Sequence, residues 1–302
     1  LGLKAGNNLL NTSSVNKVSI DGGWTETLAG LGQISSQGTL SLDIGNLLKL
    51  EGSEINSNGD ASIKAKDMEI TTIELDGKKH SQEGNTSITE TWTTNSGSSL
   101  NVGGNLKTDI ANDMTVKGSE VNVIGNADLK VGGDLTLESA EDTYTKESIT
   151  KTSSKKLGGS KSSETKETIK TTTNIGSSLN VGGDLKSEIG NDMTLKGSEI
   201  NVNGNADLKV GGDLEVLSVE DTYEKTTEKS SSKKNLGGSE KVKEKERLKQ
   251  TVNQGSSINV GGDLTAEAGG EVYLLGSELN SGGNTDITAE RFTSEAAVDR
   301  EE

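Results

Sequence analysis

The chain is 302 residues long with a net charge of −16, and only 28% of it is hydrophobic and 2% aromatic. That is too lean for the layered core of a conventional globule of this size, and the negative charge disfavours nucleic acid, whose backbone phosphates it would repel. With no Cys there are no disulfides or thiolate metal sites, and no run approaches the roughly 18 apolar residues of a membrane-spanning helix.

The opening LGLKAGNNLL has no basic segment before an apolar run, so it does not read as a signal peptide. It resembles LKVGGDL, the middle of a unit found further on, so the chain is expected to be a fragment that begins inside a longer array. The closing SGGNTDITAERF likewise reads as an unfinished unit without a cap. Residues 11–30 carry VSIDGGWTETL around a tight Asp21-Gly22-Gly23 turn, and residues 73–96 carry IELDGKKHSQEGNTSITETW.

From Gly97 the chain repeats itself. Gly97, Gly176 and Gly255 open GSSLNVGGNL, GSSLNVGGDL and GSSINVGGDL at a step of 79 residues. Gly52, Gly118, Gly197 and Gly276 open GSEIN, GSEVN, GSEIN and GSELN, the first step being shorter by 13 residues. Within one module the two halves align at an offset of 21: Leu179, Val181, Ile189, Met193 and Leu195 match Ile200, Val202, Val210, Leu214 and Val216. Apolar residues alternate with Asn, Asp, Lys, Thr and Ser between these anchors, the period of strands with one buried face. Gly-Gly-Asp, Gly-Asn-Asp and Asn-Gly-Asn break the runs and supply turns. Short strands recurring every 21 residues predict an all-β solenoid, a parallel β-helix with one rung per unit. Rung pairs are expected at about 31–72, 97–139, 176–217 and 255–295, in one continuous domain over 1–302.

The rest of each module is an insert, at about 11–30, 73–96, 140–175 and 218–254. The last two begin E-D-T-Y (Tyr144, Tyr223), become rich in Lys, Ser, Thr and Glu, and turn over at L-G-G. Equal polar arms around Gly-Gly predict β-hairpins extruded from one face every two rungs, where a disordered loop is the competing reading. Two strands span about 9.6 Å and so do two rungs, so neighbouring hairpins are expected to pair edge to edge into a side sheet. Both late inserts are mixed in charge and slightly basic, which places the acidic excess on the body. Lys on exposed strands also protects sheet edges.

Catalytic chemistry is hard to build here. His80 is the sole histidine, without a counterpart in the other inserts, and reads as a solvated loop residue. Carboxylate-only chemistry would need stacking aromatics, and these are scattered; the chain is read as no enzyme. Asp192, Asp207 and Asp213 recur beside glycines and raise structural calcium, but the calcium-binding GGxGxD nonapeptide is absent and turn geometry explains the same residues. No cofactor is therefore assigned. Tyr144 and Tyr223 recur where hairpins leave the body; with Trp92 they are the candidate hairpin-base anchors or contacts.

The phrases SSLNVGGDL, GNDMTLKGSEINVNGNADLKVGGDL and EDTY before a Ser/Lys-rich stretch resemble the haemagglutinin repeats of filamentous-haemagglutinin-like exoproteins of two-partner secretion, including the contact-dependent growth inhibition exoproteins of Gram-negative bacteria. The resemblance runs from Leu3 to about Arg291. It implies a right-handed β-helix, export by an outer-membrane two-partner-secretion transporter, and a filament at or beyond the cell surface. It further implies cell contact and delivery of a toxin across a target cell's outer membrane, or, in the adhesin case, binding of cell-surface receptors through the hairpin face. The polarity of both hairpin faces argues against their spanning lipid as they stand, because a membrane barrel needs an outward apolar face.

Overall fold

Each 21-residue unit folds as three short strands joined by tight corners, and the units stack. In one unit the strands are Ser178–Val181, Leu185–Ile189 and Met193–Lys196; in the next they are Glu199–Val202, Ala206–Val210 and Leu214–Leu217. Equivalent strands pair in parallel, Leu179 opposite Ile200, Leu185 opposite Ala206 and Met193 opposite Leu214. The computed structural model describes all 302 residues and contains strands but no helix. Three parallel sheets of eight, nine and nine strands form a three-sided β-helix; they are numbered here first, second and third in the order each unit visits them.

The two-residue period decides what lies inside. In Leu185–Ile189 the side chains of Leu185, Ser187 and Ile189 are buried, while Lys186 and Glu188 face water. Repeated over the stack, this gives one continuous cluster of 44 buried residues, all Leu, Ile, Val, Ala or Met. A narrow interior of thin aliphatic layers needs no aromatic, which is how so lean a composition sustains a core.

Polar columns mark the outside. On the first sheet, from Asn101 to Asn280, each Asn Nδ2 donates to the Oδ1 of the Asn one rung earlier at 2.8–3.0 Å, a ladder that begins at Asn56. On the second sheet, Lys64, Asp109, Lys130, Glu188, Lys209 and Glu267 stand in register and alternate in sign from rung to rung. A slip of one rung would set like charges side by side, so the column opposes that error.

The corner between the third and first sheets has two states. After one rung of each pair it is closed by a glycine in the left-handed region, Gly118 at φ 52° and Gly197 at φ 56°. After the other rung it opens into a hairpin. The two devices touch: a Cβ on Gly197 would lie 2.4 Å from Cγ2 of Val219, the first residue of the next hairpin. Buried serines line this corner, and the backbone N–H groups of Ser98, Ser177 and Ser198 donate to Oγ of Ser119, Ser198 and Ser256 at 3.0, 3.1 and 3.0 Å. These bonds satisfy backbone groups that the diverging chain would otherwise leave unpaired.

The hairpins pair Ser14–Ile20 with Gly23–Gly30, Ile73–Glu83 with Thr86–Ser96, Ala140–Lys156 with Gly159–Ile175, and Val219–Asn235 with Gly238–Gln254. They join one another, and Arg300–Glu301, in a single nine-stranded antiparallel side sheet.

Candidate interaction surface

The side sheet is the feature that distinguishes this chain from a bare rod, and its root holds Trp92, Tyr144 and Tyr223, three of the six aromatic side chains. Gly77, Trp92, Tyr144, Thr171, Tyr223 and Gln250 are directly opposed across successive strands and so share one face. Tyr144 is thus the immediate neighbour of Trp92, and Tyr223 stands two strands further on. The Trp92 ring lies over Gly77, where a Cβ would come within 2.0 Å of Cε2, so only glycine leaves room for the indole. The Tyr144 hydroxyl donates to Glu90 Oε1 of the preceding hairpin at 2.5 Å. Burial, and next the hydrogen bond to the Glu90 carboxylate, push its phenol up to about 12. These contacts join one hairpin to the next.

The opposite face carries Thr93, Thr143, Thr172 and Thr222 in one row. It meets the third body sheet across a groove of about 800 Å³, lined on the body side by Lys117, Glu138 and Lys196. Every wall residue but Val219 is polar. His80 lies elsewhere, exposed, with Nδ1 3.2 Å from Thr89 Oγ1.

A set of root contacts escaped the sequence reading. Asn174 donates its backbone N–H to Asp221 Oδ1 at 2.7 Å, and its Nδ2 to Asp221 Oδ1 and the Glu220 carbonyl at 2.9 and 3.0 Å. Ser139 Oγ donates to Asn174 Oδ1 from the body. Asn95 holds Asp142 and Glu141 in the same way, and Asn253 holds Asp299. Each Asn therefore clips its hairpin to the start of the next segment that pairs with it. The signal was present: N-x-G-S-S recurs at Asn95, Asn174 and Asn253, and the E-D-T of the next insert begins at the same step.

Two of the three aspartates that raised calcium have other engagements, while Oδ1 of the third, Asp207, is buried without a hydrogen-bond partner. Asp192 Oδ1 accepts the Asp213 N–H at 2.8 Å, and Asp213 Oδ1 accepts the Glu271 N–H at 2.7 Å, so these carboxylates cap the backbone of the next rung. No group of three or more His, Cys, Asp or Glu side chains is arranged to hold a metal ion. No helix is long and apolar enough to cross a membrane, which says nothing of strand-built membrane structures.

The family model described as hemagglutinin repeat matches residues 73–155, 157–247 and 236–302. No curated protein and no solved structure matches the chain. Three matches that together cover most of the chain place it in the hemagglutinin-repeat family.

Proposed function

Starting from membership of the hemagglutinin-repeat family, whose repeats build filamentous-haemagglutinin-like exoproteins, we propose that this chain is a segment of a secreted or surface-displayed filament. It acts in cell contact and in delivering a toxin across a target cell's outer membrane. Export through an outer-membrane two-partner-secretion transporter belongs to the same reading.

The observation that carries it is the continuous side sheet running beside the body. Nine stacked rungs give a stiff rod of roughly 40 Å, with an apolar ladder inside and no cleft through it. The 17-residue hairpin arms reach outward by roughly 55 Å, and the clips and root aromatics tie each to its neighbour. A rod that presents one broad polar surface along its length is suited to bearing on another surface. Neither the repeated Thr and Asn rows nor the single exposed His80 offers a reaction centre.

The test is deletion of residues 140–175 in the full-length exoprotein. Retained attachment to target cells with loss of cargo delivery is the expected result. Lost attachment would favour the second reading, an adhesin module that binds cell-surface receptors through its hairpin face. One observation favours that alternative: the 800 Å³ groove, whose row of Thr hydroxyls offers hydrogen bonds to a polar ligand. Unchanged attachment and delivery would sink both.

A further inference from the structure

The four hairpins do not end alike. The first two stop early: Gly23 lies opposite Lys79, and Thr86 lies opposite Thr150. Their turns are Asp21-Gly22 and Gly84-Asn85, without an apolar residue at the apex and with no lysine in the turn. The last two run on beyond that level and finish side by side, with Gly159 opposite Asn235. At their apices stand Leu157 and Leu236, 110% and 97% exposed, the most solvent-exposed large apolar side chains of the chain. The two tips meet, for Cδ1 of Leu236 is 3.6 Å from where a Cβ on Gly158 would stand.

Charge is distributed to match. Lys155, Lys156, Lys161, Lys233, Lys234 and Lys241 lie within five residues of these leucines, against one carboxylate, Glu240, in a chain whose net charge is −16. None of the six is in an ion pair, whereas Lys151, Lys166, Lys229 and Lys245, further down the arms, all are. Protection of a sheet edge accounts for lysines along an outer strand. It does not account for a leucine held in water at each far apex, nor for its absence from the two shorter tips.

We infer that the paired tips of the two longest hairpins are a docking point for an anionic lipid bilayer, the leucines entering the interfacial layer and the unpaired lysines meeting headgroup phosphates. An apolar apex ringed by free cations complements a surface that is anionic outside and hydrocarbon beneath. A soluble polyanion would engage the lysines and leave the leucines without a role. The inference rests on the side sheet's being the contact surface, and it adds where on that surface contact occurs and with what chemistry.

The experiment is sedimentation of the intact chain with vesicles of phosphatidylcholine alone and of phosphatidylcholine mixed with phosphatidylglycerol. Binding is expected only to the mixed vesicles and is lost in high salt. Replacing Lys155, Lys156, Lys233 and Lys234 by Ser lowers partitioning by about fivefold per lysine, on the order of 100-fold or more together. Leu157→Ser with Leu236→Ser, at unchanged charge, lowers it by roughly tenfold. Both sets of sites are on the exposed tips, and unchanged far-ultraviolet dichroism and melting verify that the fold is intact. Failure to bind mixed vesicles overturns the inference, as does a double leucine variant that binds like the parent, which would leave only a charge attraction indifferent to hydrocarbon. If full-length exoprotein carrying the four lysine changes delivers its cargo normally while the 140–175 deletion does not, the proposed function stands and the lipid inference falls.

Discussion

The body and the side sheet are both nearly continuous strand, yet opposite forces hold them. All 44 residues of the apolar cluster lie in the body and none in the hairpin arms. The side sheet has a full backbone ladder, supplemented by half-buried polar pairs such as Thr86–Thr150 at 2.8 Å and Lys225–Glu167 at 2.8 Å. Backbone hydrogen bonds exchanged with water add little net stability, about 1 kcal/mol each, so a sheet without a buried face leans on whatever fixes its root. Here that is the Asn clips, the Tyr144–Glu90 bond and Trp92 over Gly77.

The contrast can be broken most severely in the body. Leu195 is fully buried, and Leu195→Ala should cost about 2–5 kcal/mol, whereas Ile169→Ala in the side sheet should cost under about 1 kcal/mol; denaturant titration of both variants checks the ratio. Comparable losses would mean that the side sheet is stabilised like a core.

A second, smaller blow falls on the root. Asn174→Ala removes the clip to Asp221 and Glu220 and should cost about 1–2 kcal/mol locally. Hydrogen exchange should quicken across 219–254 while the rung 178–196 keeps its protection; uniform quickening would contradict the division.

The root also carries a pH response. The Tyr144 phenol is held at about 12 in the folded chain against 10.0 ordinarily. Its contribution is therefore complete below about pH 10 and is lost as pH rises toward 12. Trp92 fluorescence in a Trp24→Phe background should change over that interval, and Tyr144→Phe should flatten the change. The least effect is expected from Lys225→Ala, a half-buried surface pair whose loss should shift stability by under about 1 kcal/mol, close to the scatter of thermal melts.

The body was legible in the sequence because its constraint is periodic. Leu179 over Ile200 and Met193 over Leu214 follow from an offset of 21 and from alternation alone. That each rung has three strands and three sides did not follow, since corner angles are set by Gly and Ser contacts between rungs. The side sheet was legible only in outline. The L-G-G turns and equal arms give hairpins, but the partner of Tyr144 is Glu90, 54 residues away on another insert, and no local pattern predicts it. The Asn clip was readable in principle, though it lies in stretches where Thr, Ser and Asn look interchangeable until a carboxylate is placed beside one of them.

The alternating column of Lys64, Asp109, Lys130, Glu188, Lys209 and Glu267 has a consequence for how such a chain changes length. Gain or loss of a single rung would bring two like charges together and put the hairpins out of step with their neighbours. Gain or loss of a pair of rungs with its hairpin, the 79-residue unit, preserves the sign pattern, the Asn ladder and the side sheet at once. The gene can therefore be lengthened or shortened by whole cassettes, each adding roughly 9.6 Å of rod, without any compensating substitution.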